Sequence, residues 1–148
     1  MSVTKFIYLD FDGVLHPTSP VMDGLFSRAH LLEDLFTNIQ SEVFIVVSSS
    51  WRFTHTLAEL QAKLPTTLAQ HVIDTTGAPI IGKFARYQEI LAHASKLDPG
   101  SQWRALDDSY WEFPANCQEL IRCNPNTGIG PKEITKLAAW LSNASASI

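Results

Sequence analysis

Apolar residues along this chain follow two alternating rhythms. Val3 to Leu9 is a short run rich in β-branched and aromatic residues that ends abruptly at Asp10, and Val43 to Val47 is apolar without a break, as in a strand buried on both faces. Between them, Leu31, Leu32, Leu35, Phe36 and Ile39 recur at helical spacing and predict a helix over residues 27–40. A second helix is expected over 54–64 through Leu57, Leu60 and Leu64, closed by Pro65, followed by a weak strand from His71 to Ile73. A third helix, 84–97, has an apolar face containing Ile90, Leu91 and Leu97 and stops at Pro99-Gly100. Trp103 to Leu106 reads as a strand running into Asp107-Asp108, and Leu120 to Cys123 as the last strand. Gly130-Pro131 then opens a final helix with Ile134, Leu137, Ala138 and Leu141 as its stripe. Strands alternating with helices predict an α/β sandwich of three layers around a central parallel sheet.

Composition narrows the picture without changing it. The 148 residues suit a single domain spanning 1–148, and 45% hydrophobic with 18% charged residues is ordinary for a globular chain. The formal net charge is −4 and Lys and Arg form no block, which argues against a strong non-specific grip on nucleic acid but leaves a phosphorylated nucleic-acid end open as a substrate. Cys117 and Cys123 lie outside any zinc spacing and read as free thiols. The segment around Lys5 is neither a leader nor a membrane span, so a cytoplasmic protein with no membrane partner is the expectation.

The chemistry lies where strands end. Asp10 and Asp12 follow the first strand, Ser48 the second, and Asp107-Asp108 a later one. In an open parallel sheet, ligands bind beyond the carboxyl ends of the strands, so these residues converge on one edge. Two carboxylates about 4 Å apart at an effective dielectric of about 20 repel by roughly 4 kcal/mol. A hard divalent cation removes that cost, and a set of oxygen ligands suits Mg2+.

Asp10-Phe11-Asp12-Gly13-Val14-Leu15 resembles the DxDGVL signature of the haloacid dehalogenase-like hydrolases, a Rossmann-like fold. Phe44-Ile45-Val46-Val47-Ser48 resembles the second motif of that family, with Ser48 favoured over Ser49. For the third motif, a basic residue at a helix start, Arg86 in Arg86-Tyr87-Gln88-Glu89-Ile90 competes with Lys83. Arg104-Ala105-Leu106-Asp107-Asp108 resembles the fourth. Leu15-His16-Pro17, Ser49-Ser50-Trp51-Arg52 and the Gly128-Ile129 turn look like the small haloacid dehalogenase domains of multi-enzyme RNA-repair proteins.

The resemblance implies a Mg2+-dependent phosphatase with Asp10 as nucleophile and Asp12 as general acid. The ion is then held by the Asp10 carboxylate, the Asp12 carbonyl and Asp107 or Asp108, while Ser48 or Ser49 and Arg86 or Lys83 receive phosphate. An acid at position 12 fits the phosphatase branch rather than the dehalogenases. Asp12 and Ser48 are 36 positions apart, and Ser48 and Lys83 are 35 apart, leaving no room for a separate cap domain. The site is therefore expected to be open to a phosphorylated small molecule or nucleic-acid end, with the loop His16 to Gly24 as a candidate lid. His16 is a candidate for substrate contact, Trp51 for stacking on a base or core packing, and Arg52 for pairing with phosphate. Trp103, Trp111 and Trp140 read as packing residues. The alternatives are a catalytically silent phosphate-binding or scaffolding domain of the same fold and a receiver-like phospho-accepting domain.

Overall fold

The computed structural model describes residues 3–18, 24–39 and 42–142. Five strands, β1 (Lys5–Leu9), β2 (Val43–Val47), β3 (Val72–Thr75), β4 (Gln102–Asp107) and β5 (Leu120–Arg122), form one sheet in the order β3-β2-β1-β4-β5. Every pairing is parallel. The helices are α1 (Ala29–Thr37), α2 (Leu57–Ala62), α3 (Thr66–Ala69), α4 (Ala85–Ala94) and α5 (Pro131–Ser142). This is the three-layer α/β sandwich that the alternating pattern predicts.

Alternation along β1 distributes the core. Ile7 and Leu9 face a large cluster with Leu32 and Phe36 of α1, Leu60 of α2, Leu68 of α3 and Leu137 and Leu141 of α5. Phe6 and Tyr8 face a smaller cluster with Val46, Ile90 of α4 and Ala105. At about 25 cal/mol per Å² of apolar surface removed from water, these two layers are the main force fixing the sheet. Lys5, also buried, donates its Nζ to the Trp140 and Leu141 carbonyls at 2.6 and 3.1 Å, a cation placed against the last turn of α5.

Departures from the predicted elements have local causes. The helix expected over 54–64 begins only at Leu57, because Ser49 Oγ first caps a 3-10 turn (Ser50–Phe53). Thr56 and Glu59 then form a capping box that sets the start of α2. The chain beyond Pro65 makes the extra helix α3, whose Leu68 is wholly buried. In α4, Ile90 is buried while Leu91 is 40% exposed, so Leu91 is not on the core face; Tyr87 and Ala94 pack there instead. The segment from β1 to β2 carries one helix, and among the described residues no cap domain is inserted. Part of the candidate lid, residues 19–23, lies outside the described residues.

Two features of this topology position the site. The chain winds outward from β1 through β2 to β3, then crosses back over β1 to β4, so the switch point lies between β1 and β4. Leu9 is in register with Val47 on one side and Leu106 on the other. The residues that follow each of these are Asp10, Ser48 and Asp107.

Candidate active site

Register alone brings the backbones together: Asp10 N–H donates to Leu106 O at 3.1 Å, and Ser48 N–H donates to Leu9 O at 3.0 Å. Asp10, Asp107 and Asp108 each turn one carboxylate oxygen to a common point, all within 4.8 Å of one another, and all three residues are buried. Asp10 Oδ1 accepts the Phe11 N–H at 2.9 Å, and Asp107 Oδ1 accepts the Ser109 N–H at 2.8 Å. Gly13 has φ +79, and a Cβ there would stand 2.4 Å from the Asp108 carboxyl. That contact and the left-handed backbone both demand glycine.

Arg86 comes from the first turn of α4. Its Nη1 donates to Asp107 Oδ2 at 2.7 Å and lies 3.6 Å from Asp10 Oδ1. Lys83 is exposed, with its Nζ 5.0 Å from the Phe84 ring, so of the two candidate cations the structure brings Arg86 to the carboxylates. Burial raises the Asp10 pKa, the Asp107 charge adds to the rise, and Arg86 partly offsets it. Asp107 is shifted up as well, chiefly by burial, against the pull of Arg86. Burial opposes the Arg86 charge, but Asp107 and Asp10 outweigh it and hold its pKa above the ordinary value.

Ser48 and Ser49 are both buried yet differ in occupation. Ser49 Oγ accepts the Trp51 N–H at 3.2 Å, whereas Ser48 Oγ has no partner. A buried hydroxyl without a partner costs about 1–3 kcal/mol and is accounted for when a ligand completes it. Arg52 is committed elsewhere: it donates to Gly77 O, Ser48 O, Ser49 O and Glu89 Oε1. Four of its five N–H groups are thereby engaged in holding the serine loop, which leaves little for the phosphate pairing expected of it. Glu89 joins both arginines, standing 2.9 Å from Arg52 Nη2 and 3.9 Å from Arg86 Nε, and it also accepts the Ile80 N–H.

Asp12 lies outside the carboxylate cluster. Its side chain is 45% exposed; Oδ1 is 2.7 Å from His16 Nε2, and Oδ2 accepts the Trp51 Nε1–H at 3.2 Å. His16 itself is wholly buried, so it contacts Asp12 rather than the surface where a substrate would meet it. The sequence reading missed this pairing, and the four-residue spacing between Asp12 and His16 was its only trace. Trp51 is half-buried, with its ring stacked on His55 at 5.2 Å and set edge-on to Phe11.

A family model described as the HAD domain in Swiss Army Knife RNA repair proteins matches residues 6–134, most of the chain and every residue of this site. The chain belongs to that family. Membership makes this haloacid dehalogenase domain a phosphatase-type hydrolase fold. No curated protein and no solved structure gives a match.

The acidic cluster of this haloacid dehalogenase domain fits a divalent cation. Three buried carboxylates face the single Arg86 guanidinium, which Glu89 also engages, so negative charge is in excess where three hard oxygen donors meet. Among the described residues, no helix is long and apolar enough to cross a membrane. Cys117 and Cys123 are both free thiols.

Proposed function

We propose that this domain is a magnesium-dependent phosphohydrolase that acts on phosphate monoesters through a phosphoryl-Asp10 intermediate, with a nucleic-acid end as its substrate class. The observation that carries the reading is the meeting of Asp10, Asp107 and Asp108 with Arg86 at the switch point of the sheet. The Asp10 carboxylate, the Asp12 carbonyl and Asp107 or Asp108 would hold Mg2+, which when bound neutralises charge developing on the phosphoryl oxygens.

The chain's own residues supply the rest. Asp10 attacks phosphorus; the bond from phosphorus to the leaving oxygen breaks, and Asp12 gives that oxygen its proton. In the second half Asp12 takes a proton from water, whose oxygen attacks phosphorus and frees Asp10. The unpartnered Ser48 Oγ donates to one phosphoryl oxygen, and the Arg86 guanidinium offsets charge on the others. Asp10 is itself only 5% exposed, which keeps most bulk water from the nucleophile.

Two features support a nucleic-acid end. The family is one of RNA repair proteins. The chain also leaves Asp108 into a 3-10 turn (Tyr110–Glu112) with Tyr110 49% and Trp111 61% exposed, and the Arg122 guanidinium lies 3.7 Å over the Tyr110 ring. Three residues of chain span at most about 11 Å, so Tyr110 and Trp111 start within that reach of Asp108, and their exposed rings would offer a base a stacking surface with a cation beside it.

The test compares p-nitrophenyl phosphate with 3′- and 5′-phosphorylated oligonucleotides, with magnesium and with excess chelator. Turnover in magnesium alone, with the oligonucleotides favoured, is the expected result; no turnover on any substrate returns the domain to the silent scaffold reading. Trp111→Ala should raise KM for the oligonucleotide several-fold and leave p-nitrophenyl phosphate unaffected.

A further inference from the structure

We infer that His16 and Trp51 are positioning residues for proton transfer, holding the Asp12 carboxylate in its working rotamer by one N–H donated to each of its oxygens. The inference rests on the phosphatase reading and gives a role to two residues which that reading leaves unused.

The hydrogen bonds define the direction of each contact. The Phe26 backbone N–H donates to His16 Nδ1 at 3.1 Å, so Nδ1 carries the lone pair and Nε2 carries the proton. Nε2–H therefore donates to Asp12 Oδ1 at 2.7 Å, while Trp51 Nε1–H donates to Oδ2 at 3.2 Å. Neither donor is free to move. The His16 ring is wholly buried and set edge-on to Phe26, and the Phe26 ring is packed against Trp51 and Phe11. Gly13 N–H donates to His16 O at 2.8 Å, closing the loop from acid to imidazole on itself. An exposed aspartate on a loop samples several rotamers; here one of them is fixed from both sides by rigid rings. A proton donor in the wrong place by 1 Å loses much of its advantage, so fixing the carboxylate acts directly on the step it serves.

Apart from Asp12, the His16 ring has one polar partner among the interactions described, the Phe26 N–H; that bond occupies Nδ1 and leaves Nε2–H to Asp12 alone. The imidazole is explained by what it does to Asp12.

The test uses His16→Leu, His16→Gln and Trp51→Phe, each alone and combined with Asp12→Asn. Trp51→Phe retains a packed ring and deletes only the donor; Gln restores an N–H toward Asp12 that Leu lacks. In the intact protein, His16→Leu should lower kcat on an alkyl phosphate, whose leaving group needs a proton, by about 10-fold to 10²-fold with KM unchanged, less than the loss of Asp12 itself. On an aryl phosphate with an activated leaving group the first step, transfer to Asp10 read as the burst of released phenol, should slow much less, and Gln should recover most of the difference. Trp51→Phe should show the same split at smaller size. In the Asp12→Asn background all three substitutions should have no further effect, because the group they position is gone. Nitrogen-15 NMR of the His16 ring, which needs no turnover, should report the Nε2–H form. An active wild type whose transfer step slows equally on both substrates, additive losses with Asp12→Asn, or an Nδ1–H imidazole would overturn the positioning role alone. An inert wild type would overturn the phosphatase reading and this role with it.

Discussion

Asp10 sits among groups that oppose its charge: a low-dielectric pocket, the Asp107 carboxylate and the Asp108 carboxylate, with Arg86 as the main counterweight. Its folded pKa is raised, so the folded chain keeps the Asp10 proton to higher pH than the unfolded chain does. The stabilisation that follows is complete below the unfolded value of about 3.9 and is lost as pH rises through the raised folded value. Melted in chelator, the protein should therefore lose stability between mildly acid and neutral pH, and Asp10→Asn should lose less over the same range. At this chain length each kcal/mol appears as about 2–4 °C in Tm. Parallel pH profiles for the two proteins would contradict the burial of a strained carboxylate. Gly13→Ala is a second test at this scale. Its Cβ would press on the Asp108 carboxyl from 2.4 Å, so it should weaken magnesium binding by at least 10-fold, read by titration calorimetry, and cost stability through the positive φ as well.

Among the elements, α4 joins the catalytic edge to the rest of the sheet. Arg86 opens its first turn, and one turn later Glu89 takes Arg52 from the serine loop and the Ile80 N–H from the approach to the helix. The Arg52–Glu89 pair is nearly sealed, with 3% and 8% of the side chains exposed. Removing Glu89 leaves Arg52 charged with only the Gly77, Ser48 and Ser49 carbonyls to meet it, at a cost of about 3–5 kcal/mol. Glu89→Ala should therefore cost about that much in urea unfolding and should also slow turnover, since both Arg86 and the Ser48 loop lose their common anchor. A change below 1 kcal/mol would show that the pair is not the brace its geometry implies. Arg86 at the helix start was legible from residue order, but the pairing of Arg52 with Glu89 was not. Arg52 reads in sequence as a phosphate ligand because it follows the serines. Its real partner is 37 positions away across a helix, and only the folded chain brings the two together.

Across the whole molecule, the periodicity carried the architecture well. β2 was legible to the residue because an apolar run buried on both faces has sharp polar limits. The start of α2 and the existence of α3 were not, because a 3-10 turn capped by Ser49 and a proline-initiated turn interrupt the helical rhythm without changing its apolar spacing. The convergence of Asp10, Ser48 and Asp107 was legible from strand ends alone, and the register of β1 with its two neighbours gives it a geometric cause. What side chains do next escaped the pattern, as with His16, which turns inward. Magnesium at 100 times its Kd should stabilise the folded domain by about 2.7 kcal/mol, since the carboxylates assemble only on folding; an unchanged Tm in magnesium would count against the metal site.

The central claim is that the Asp10 carboxylate is the group that takes the phosphoryl. It is tested most directly by following phosphate release from a phosphorylated oligonucleotide, in saturating magnesium, by wild type and Asp10→Asn side by side, with circular dichroism to show that both are folded. The amide keeps the shape of the side chain and loses its nucleophilic charge. The account predicts turnover by the wild type and none detectable by the folded variant. Wild-type turnover by folded Asp10→Asn would contradict it.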